Sequence, residues 1–437
     1  MQKSQYEVRN FDEPIHNTER NYEMKSNKIL RILAMLMLCT VLMSSLTSCI
    51  LDFEFSFDEY VPDFDYNEGF GGNGSQNGGN NTGNKIESEN YGDFYPGSGQ
   101  GNTEGLKPLS KTLLSTVNIT CGSALSTSAG SGVIYSVDKE KGDAYIITNC
   151  HVVYGGGKTV SNDIKVYLYG MELSSYAIPA TFIGGSVTYD IAVLKITGSE
   201  VLKNSYATAV EFESSDSVRV FDKVYAVGNA EGAGLSATEG IVSVTSENIS
   251  LSGADGSKIS LRVMRIDAAV NHGNSGGGLY DENGKLIGIV SAKEVSEDID
   301  NMGYAIPSDL VKKLADSIIR QCNGTVTQIS KVKKMITITS YVSGVEIDSN
   351  GGVYQVELVE VTNVSSGSLA DGKVTVGDTI NYITIDGVKT VVTRVHHFTE
   401  AMLAAKSGSI VVLNVNRKGE TIDITFDVTD SALTTVK

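Results

Sequence analysis

Three short stretches of this 437-residue sequence hold side chains that could do chemistry together. The first is Thr148-Asn149-Cys150-His151-Val152-Val153, at the end of an apolar run. The second is Tyr189-Asp190-Ile191-Ala192-Val193-Leu194, and the third is Asn271-His272-Gly273-Asn274-Ser275-Gly276-Gly277-Gly278. Serine is a weak nucleophile at its ordinary pKa and needs a base beside it. His151 is the candidate base for Ser275. Asp190, costly to bury without a partner, is the candidate group to fix the imidazole tautomer and stabilise the imidazolium. Glycine tolerates positive φ, so the third stretch can aim several N–H groups at one point. The N–H groups of Gly273, Asn274 and Ser275 are the candidates to receive an oxyanion. Each stretch alone has a plain structural alternative: a structural histidine, a turn aspartate, an ordinary glycine loop. A phosphate cradle is a weaker rival, because no Gly-Lys-Ser/Thr follows.

The elements that must position these residues read as strands. From about 107 to 315, short β-branched runs (132–136, 144–148, 164–169, 191–196, 223–227, 240–244, 261–266, 286–290) alternate with Gly, Asp, Asn and Ser. That spacing predicts an all-β barrel or sandwich. No βαβ alternation appears, which argues against a doubly wound sheet. The 46 glycines agree with a turn-rich chain.

The order His, Asp, Ser along the chain is that of chymotrypsin-type proteases and differs from the subtilisin and α/β-hydrolase orders. The segment from Arg265 to Gly278 resembles the active-site segment of the HtrA/DegP family, as do the His151 and Asp190 segments. Gly228-Asn229, the run from Glu239 to Ser243, and Gly303-Tyr304-Ala305-Ile306-Pro307 leading into a helix-like 308–320 match further family landmarks. The resemblance implies a chymotrypsin-like double β-barrel over 107–325. In it, two six-stranded barrels hold the triad between them, with His151 and Asp190 from the first barrel and Ser275 from the second. It also implies that Ile289, Val290 and Ser291 pair with substrate backbone, and that 269–273 and 291–293 line the pocket for the residue before the scissile bond. No acidic residue stands there to attract a basic side chain, so a small aliphatic one is expected. The family also implies a homotrimer, and an active site that forms fully only when peptide binds. His272 stands where many members carry proline and reads as a solvent-facing loop residue. The interval 137–143 is too short for the long regulatory loop of some members.

Residues 330–437 are again β-rich, with a helical stretch near 399–405. The segments 364–370, 376–381, 385–388 and 412–419 resemble successive landmarks of a PDZ domain, which binds extended peptides by strand addition. A loop for a peptide carboxylate would fall near Ser343-Gly344-Val345-Glu346. A smaller PDZ-like domain is expected here, as a peptide site or as a structural lid.

The N-terminal 1–49 reads as an extension and export segment. The apolar run 32–43 spans about 18 Å as a helix, short of the roughly 30 Å of bilayer hydrocarbon, with Lys25, Lys28 and Arg31 before it. That is the pattern of a signal peptide, with Met24 the expected start. Leu46-Thr47-Ser48-Cys49 resembles a bacterial lipobox, which implies lipidation of Cys49 and a stable anchor at the outer face of a membrane. Residues 50–106, acidic-aromatic and then rich in Gly, Asn and Ser, read as a disordered tether. The net charge of −17 excludes nucleic acid as a partner. Five cysteines without C-x-x-C spacing predict neither a zinc site nor a thioredoxin-like motif; no metal and no cofactor are expected, and Cys121, Cys150 and Cys322 are expected to be buried, unbridged thiols, with a Cys121–Cys150 bridge as the alternative.

Together these readings lead to a serine endopeptidase that cleaves unfolded or misfolded exported proteins. The alternatives are a catalytically silent adaptor that binds peptides through the PDZ-like domain and, more remotely, an acyl hydrolase, whose Gly-x-Ser-x-Gly setting is missing.

Overall fold

Alternation of buried and half-exposed residues runs through the strands as the sequence leads one to expect. In the strand Asp163–Leu168, Ile164, Val166 and Leu168 point inward and their neighbours outward. The computed structural model describes residues 105–122, 127–155, 159–172, 174–291 and 302–436. The chain divides into two units, Met1–Lys85 and Ile86–Lys437, and every described residue belongs to the second. The export segment, Cys49 and most of the tether lie outside the described residues. Among the described residues no helix is long and apolar enough to cross a membrane.

A helix α1 (Pro108–Ser115), which the strand-only reading of this region missed, starts on the proline that fits a first helical position. The first sheet follows: β1 (Thr116–Gly122), β2 (Thr127–Asp138), β3 (Asp143–Thr148), β4 (Asp163–Leu168), β5 (Ile178–Pro179), β6 (Thr181–Ser186) and β7 (Ile191–Ile196), in the order β5-β4-β1-β2-β3-β7-β6. It has seven antiparallel strands, β5 only two residues long, and its end strands β5 and β6 adjoin along the chain, so the sheet curls round on itself as the expected barrel does. A helix α2 (Cys150–Tyr154) follows β3 directly. The second lobe is a closed six-stranded barrel of β8 (Lys223–Gly228), β9 (Ser236–Ser252), β10 (Lys258–Ile266), β11 (Gly278–Tyr280), β12 (Leu286–Ser291) and β13 (Gly303–Pro307), ordered β10-β13-β12-β11-β8-β9. All six residues of β12 are buried.

From β13 the chain enters the amphipathic helix Ser308–Gln321, whose Leu310, Val311, Leu314, Ala315 and Ile318 join the core shared by both sheets. A third lobe follows with its own core. Its main sheet contains β15 (Ile336–Ile347), β16 (Val353–Val364), β17 (Thr379–Ile385), β18 (Val388–Val391), β19 (Ile410–Arg417) and β20 (Glu420–Asp427), while β14 (Ser330–Val332) pairs with β21 (Leu433–Thr435). The hairpin β17–β18 turns through Asp386 and Gly387, both at positive φ. That is the two-residue turn expected from Asp-Gly. The expected carboxylate loop at Ser343–Glu346 is absent: these residues lie inside β15, paired along β16 with a bulge between Val342 and Gly344.

Cys121, Cys150 and Cys322 are buried and form no disulfide. Burial pushes the Cys121 thiol up to about 12, which keeps it inert.

The third lobe is tied to the second by an ion pair, Arg262 of β10 with Glu400, whose side chains are 10% and 7% exposed. Removing one partner of such a pair leaves a buried charge uncompensated, at a cost of about 3–5 kcal/mol. We therefore predict that Glu400→Gln lowers the thermal midpoint, while Arg262→Met with Glu400→Leu recovers most of it. Unchanged melting of the single variant would contradict this.

Candidate active site

Asp190 is the last residue before β7, and its backbone is in the left-handed region at φ 52°. Aspartate visits this region more readily than most residues, and here every polar group holds it there. Its carbonyl accepts from Asn149 Nδ2 at 2.9 Å and from the Cys150 N–H at 3.3 Å. Its carboxylate, fully buried, accepts the His151 N–H at Oδ1 (3.0 Å) and meets His151 Nδ1 at Oδ2 (2.7 Å). An ionised carboxylate only accepts hydrogen bonds. The proton on the neutral imidazole is therefore at Nδ1, and Nε2 presents its lone pair. His151 sits in the first turn of α2 rather than at a strand end, one-fifth exposed.

Ser275 comes from the turn before β11 and is 6% exposed. Its carbonyl accepts the N–H of Ser131 on β2, at 2.8 Å. The two backbones can approach because Gly276 adopts φ 86°; a methyl group there would meet the Ser131 carbonyl at 2.1 Å and Thr148 Oγ1 at 2.3 Å. At Gly130 a methyl group would strike Val152 at 2.6 Å and meet the Ser275 carbonyl at 3.3 Å. Ser275 and the residue following His151 thus flank the same glycine. The first sheet holds His151 against Asp190, and the second lobe brings Ser275 to that edge.

Sequence reasoning missed Ser131. Besides its N–H bond to Ser275, its hydroxyl donates to the Gly273 carbonyl at 2.8 Å and accepts the Asn229 N–H at 2.8 Å. Its own carbonyl accepts from Thr148 Oγ1 at 2.7 Å. One serine on the first sheet therefore clamps two segments of the second lobe, the 273–275 turn and Asn229. The Gly130-Ser131-Gly132 triplet, which removes side chains around it, was the available signal.

The His272 carbonyl accepts the Glu231 N–H at 2.7 Å. In a trans peptide the N–H points opposite to the carbonyl, so this bond turns the Gly273 N–H away from the 230–232 turn; among the described residues nothing accepts it. Gly273 needs φ 91°, and a side chain there would meet the Asn229 carbonyl at 2.1 Å. The N–H of Asn274 does not belong with it. It donates to the Asn271 carbonyl at 3.1 Å, so it closes the loop instead of facing a substrate. His272 is exposed, as expected.

Two of the three substrate-pairing residues are also corrected. Ile289 and Val290 lie in the interior of the closed barrel. Val290 exchanges hydrogen bonds with Gly276 and Gly277 on one side, and β12 pairs with β13 on the other. Strand addition needs an edge, and here there is none. Ser291 pairs with Tyr304 of β13 and lies past the pairing with β11. The remainder of the expected pocket, 292–293, is outside the described residues.

An imidazole with its tautomer fixed by a buried carboxylate, a serine at a glycine turn, and an N–H directed by a pinned peptide form the parts needed for acyl transfer. Comparisons agree. Residues 130–289 match the family described as "Trypsin-like peptidase domain". "Serine protease Do-like HtrA" of Bacillus subtilis (strain 168) is 40% identical over 194 residues, covering 44% of this chain and 39% of that protein. The protein of the same name from Lactobacillus helveticus is 31% identical over 310 residues, covering 68% of this chain and 67% of that one. The solved structure "HtrA-type protease AlgW with tripeptide" superposes with a TM-score of 0.50 at 26% identity, covering 74% of this chain and 96% of that one. The matched region spans half or less of the length of several curated relatives.

We predict that Ser131→Ala, which strands the Gly273 carbonyl and the Asn229 N–H, destabilises the protein by about 2 kcal/mol and lowers kcat/KM on denatured casein roughly a hundredfold. Wild-type turnover in this variant would show that the clamp does not position the turn.

Proposed function

Because the chain belongs to the HtrA/DegP family of serine proteases, we propose that it is a serine endopeptidase with His151, Asp190 and Ser275 as its triad. The observation that carries this is the His151–Asp190 hydrogen bond of 2.7 Å at the edge where Ser275 docks. Ser275 Oγ attacks the scissile carbonyl carbon while His151 Nε2 takes its proton. Asp190 stabilises the imidazolium. The oxyanion is received by the N–H groups of Gly273 and Ser275, each donor worth about 3 kcal/mol in such sites. His151 then protonates the leaving amine, and water releases the acyl group by the same steps in reverse.

The substrates are unfolded exported proteins. An extended chain is the form that can lay a strand beside Ser291, where the β11 side of β12 ends. The third lobe acts as a PDZ-like peptide receptor. Supporting this is a groove of about 390 Å³ between the start of β15 and the helix Val395–Ala401, lined by Met335, Ile336, Ile338, Phe398, Met402 and, from the first sheet, Tyr189. Tyr189 adjoins Asp190. An occupant of the groove therefore touches the residue next to the triad. Lipidation at Cys49 anchors the exported chain to the outer face of a bacterial membrane.

Two measurements test these assignments. A fluorophosphonate probe should label the wild-type protein and fail to label Ser275→Ala; equal labelling of both would remove Ser275 from the mechanism. In cells the protein should partition into detergent with the membrane fraction, and Cys49→Ser should move it to the aqueous phase. A wild-type chain already aqueous would refute the anchor.

A further inference from the structure

We propose that Asp216, His396 and His397 form a zinc site that joins the third lobe to the connection between the first two. Asp216 lies in the 3-10 turn Ser215–Ser217, within the segment leading from β7 to β8. It therefore sits on the link between the sheet carrying His151 and the barrel carrying Ser275. His396 and His397 occupy the first turn of the helix Val395–Ala401 in the third lobe. One ligand atom from each of the three residues lies within 4.8 Å of the others.

The distances are what distinguish this cluster from a hydrogen-bonded one. His396 Nε2 and His397 Nε2 stand 3.7 and 3.3 Å from the same oxygen, Asp216 Oδ1. A charge-assisted N–H···O bond settles near about 2.8 Å. Two atoms each bound about 2.1 Å from a tetrahedral zinc are about 3.4 Å apart, which is the spacing found. Neighbours on a helix would ordinarily diverge, yet these two rings meet edge to face with centroids 4.4 Å apart. Their side chains are only 13% and 12% exposed, so the convergence is packed in place. The carboxylate is 48% exposed, which leaves a fourth position for water.

The surrounding cations do not oppose an ion. Arg219, whose Nη1 donates to the Asp216 carbonyl, is paired through Nε with Asp348, and Arg262 is paired with Glu400. The outer nitrogen of His397, Nδ1, accepts the Thr393 N–H at 3.2 Å and lies 3.3 Å from the Thr393 hydroxyl. A metal-bound imidazole carries its proton at Nδ1 and needs an acceptor there. Zinc binding thus exchanges the N–H contact for one to the hydroxyl. The choice of zinc over magnesium or calcium follows from two imidazoles with one carboxylate. Motif spacing did not reveal the site because its carboxylate comes from a different lobe, far upstream of the His-His pair.

The test uses the full chain, stripped with a chelator and dialysed. Titration with ZnCl2 should give one equivalent bound, raise the thermal midpoint, and show no such shift with MgCl2. CoCl2 should produce the intense visible bands of a four-coordinate site. Asp216→Asn keeps an acceptor for the imidazole N–H groups but removes the anionic ligand. It and His396→Ala with His397→Ala should bind zinc at least roughly a hundredfold more weakly, since even outer partners of a ligand contribute 10–100-fold. Should the histidine variant fail to fold, the cobalt spectrum of the unaltered chain together with Asp216→Asn decides. No cobalt bands at saturating metal, or stoichiometric zinc binding undiminished by these substitutions, overturns the proposal.

Discussion

Everything in this molecule depends on how closely two backbones can pass. The turn carrying Ser275 lies against β2 because Gly130 and Gly276 offer no side chains at the seam, and because Ser131 then satisfies what the close approach buries. A buried carbonyl or N–H left without a partner costs about 1–3 kcal/mol. The seam therefore holds together only in a register that pairs the Ser275 and Gly273 carbonyls and the Asn229 N–H with a single residue. That register sets the Ser275 carbonyl beside Gly130, against which Val152, the residue after His151, also packs.

The two lobes divide the work by the kind of constraint each can impose. The first sheet manages charge. It buries Asp190 completely and surrounds it with the His151 N–H, the imidazole and the amide of Asn149. The closed barrel manages geometry. Its fully buried β12 holds the Gly276–Gly277 peptides, and the Glu231–His272 bond sets the direction of the Gly273 N–H. The third lobe reaches both through Tyr189 beside the groove and through the contacts of Arg262, Arg219 and Asp216 with its own residues.

The chemistry was more legible in the sequence than its fine geometry. His151, Asp190 and Ser275 each sit in a local pattern that differs from its surroundings, and strand periodicity located β2, β3, β4, β7, β8, β9, β10 and β12 while passing over β1, β6 and β11. What went unread depends on hydrogen bonds between residues far apart. Whether Asn274 offers its N–H to a substrate or to Asn271 is decided by a turn, not by residue type. Ile289 and Val290 look like an available strand until β11 and β13 are seen on either side of them. Ser343–Glu346 is placed as a loop by the PDZ resemblance alone, and the long pairing of β15 with β16 runs through it with a bulge between Val342 and Gly344. The convergence of Asp216 on His396 and His397 is likewise a property of packed lobes.

The central claim is that the seam delivers Ser275 to an imidazole oriented by Asp190, with the Gly273 N–H aimed at the developing charge. A crystal structure of the protein after phosphonylation tests it most directly. The account predicts the adduct on Ser275 Oγ, one phosphonyl oxygen within about 3 Å of the Gly273 nitrogen, and His151 still bound to Asp190 through Nδ1. An adduct on Ser275 whose oxygens all face solvent, with His151 turned away from Asp190, would contradict it.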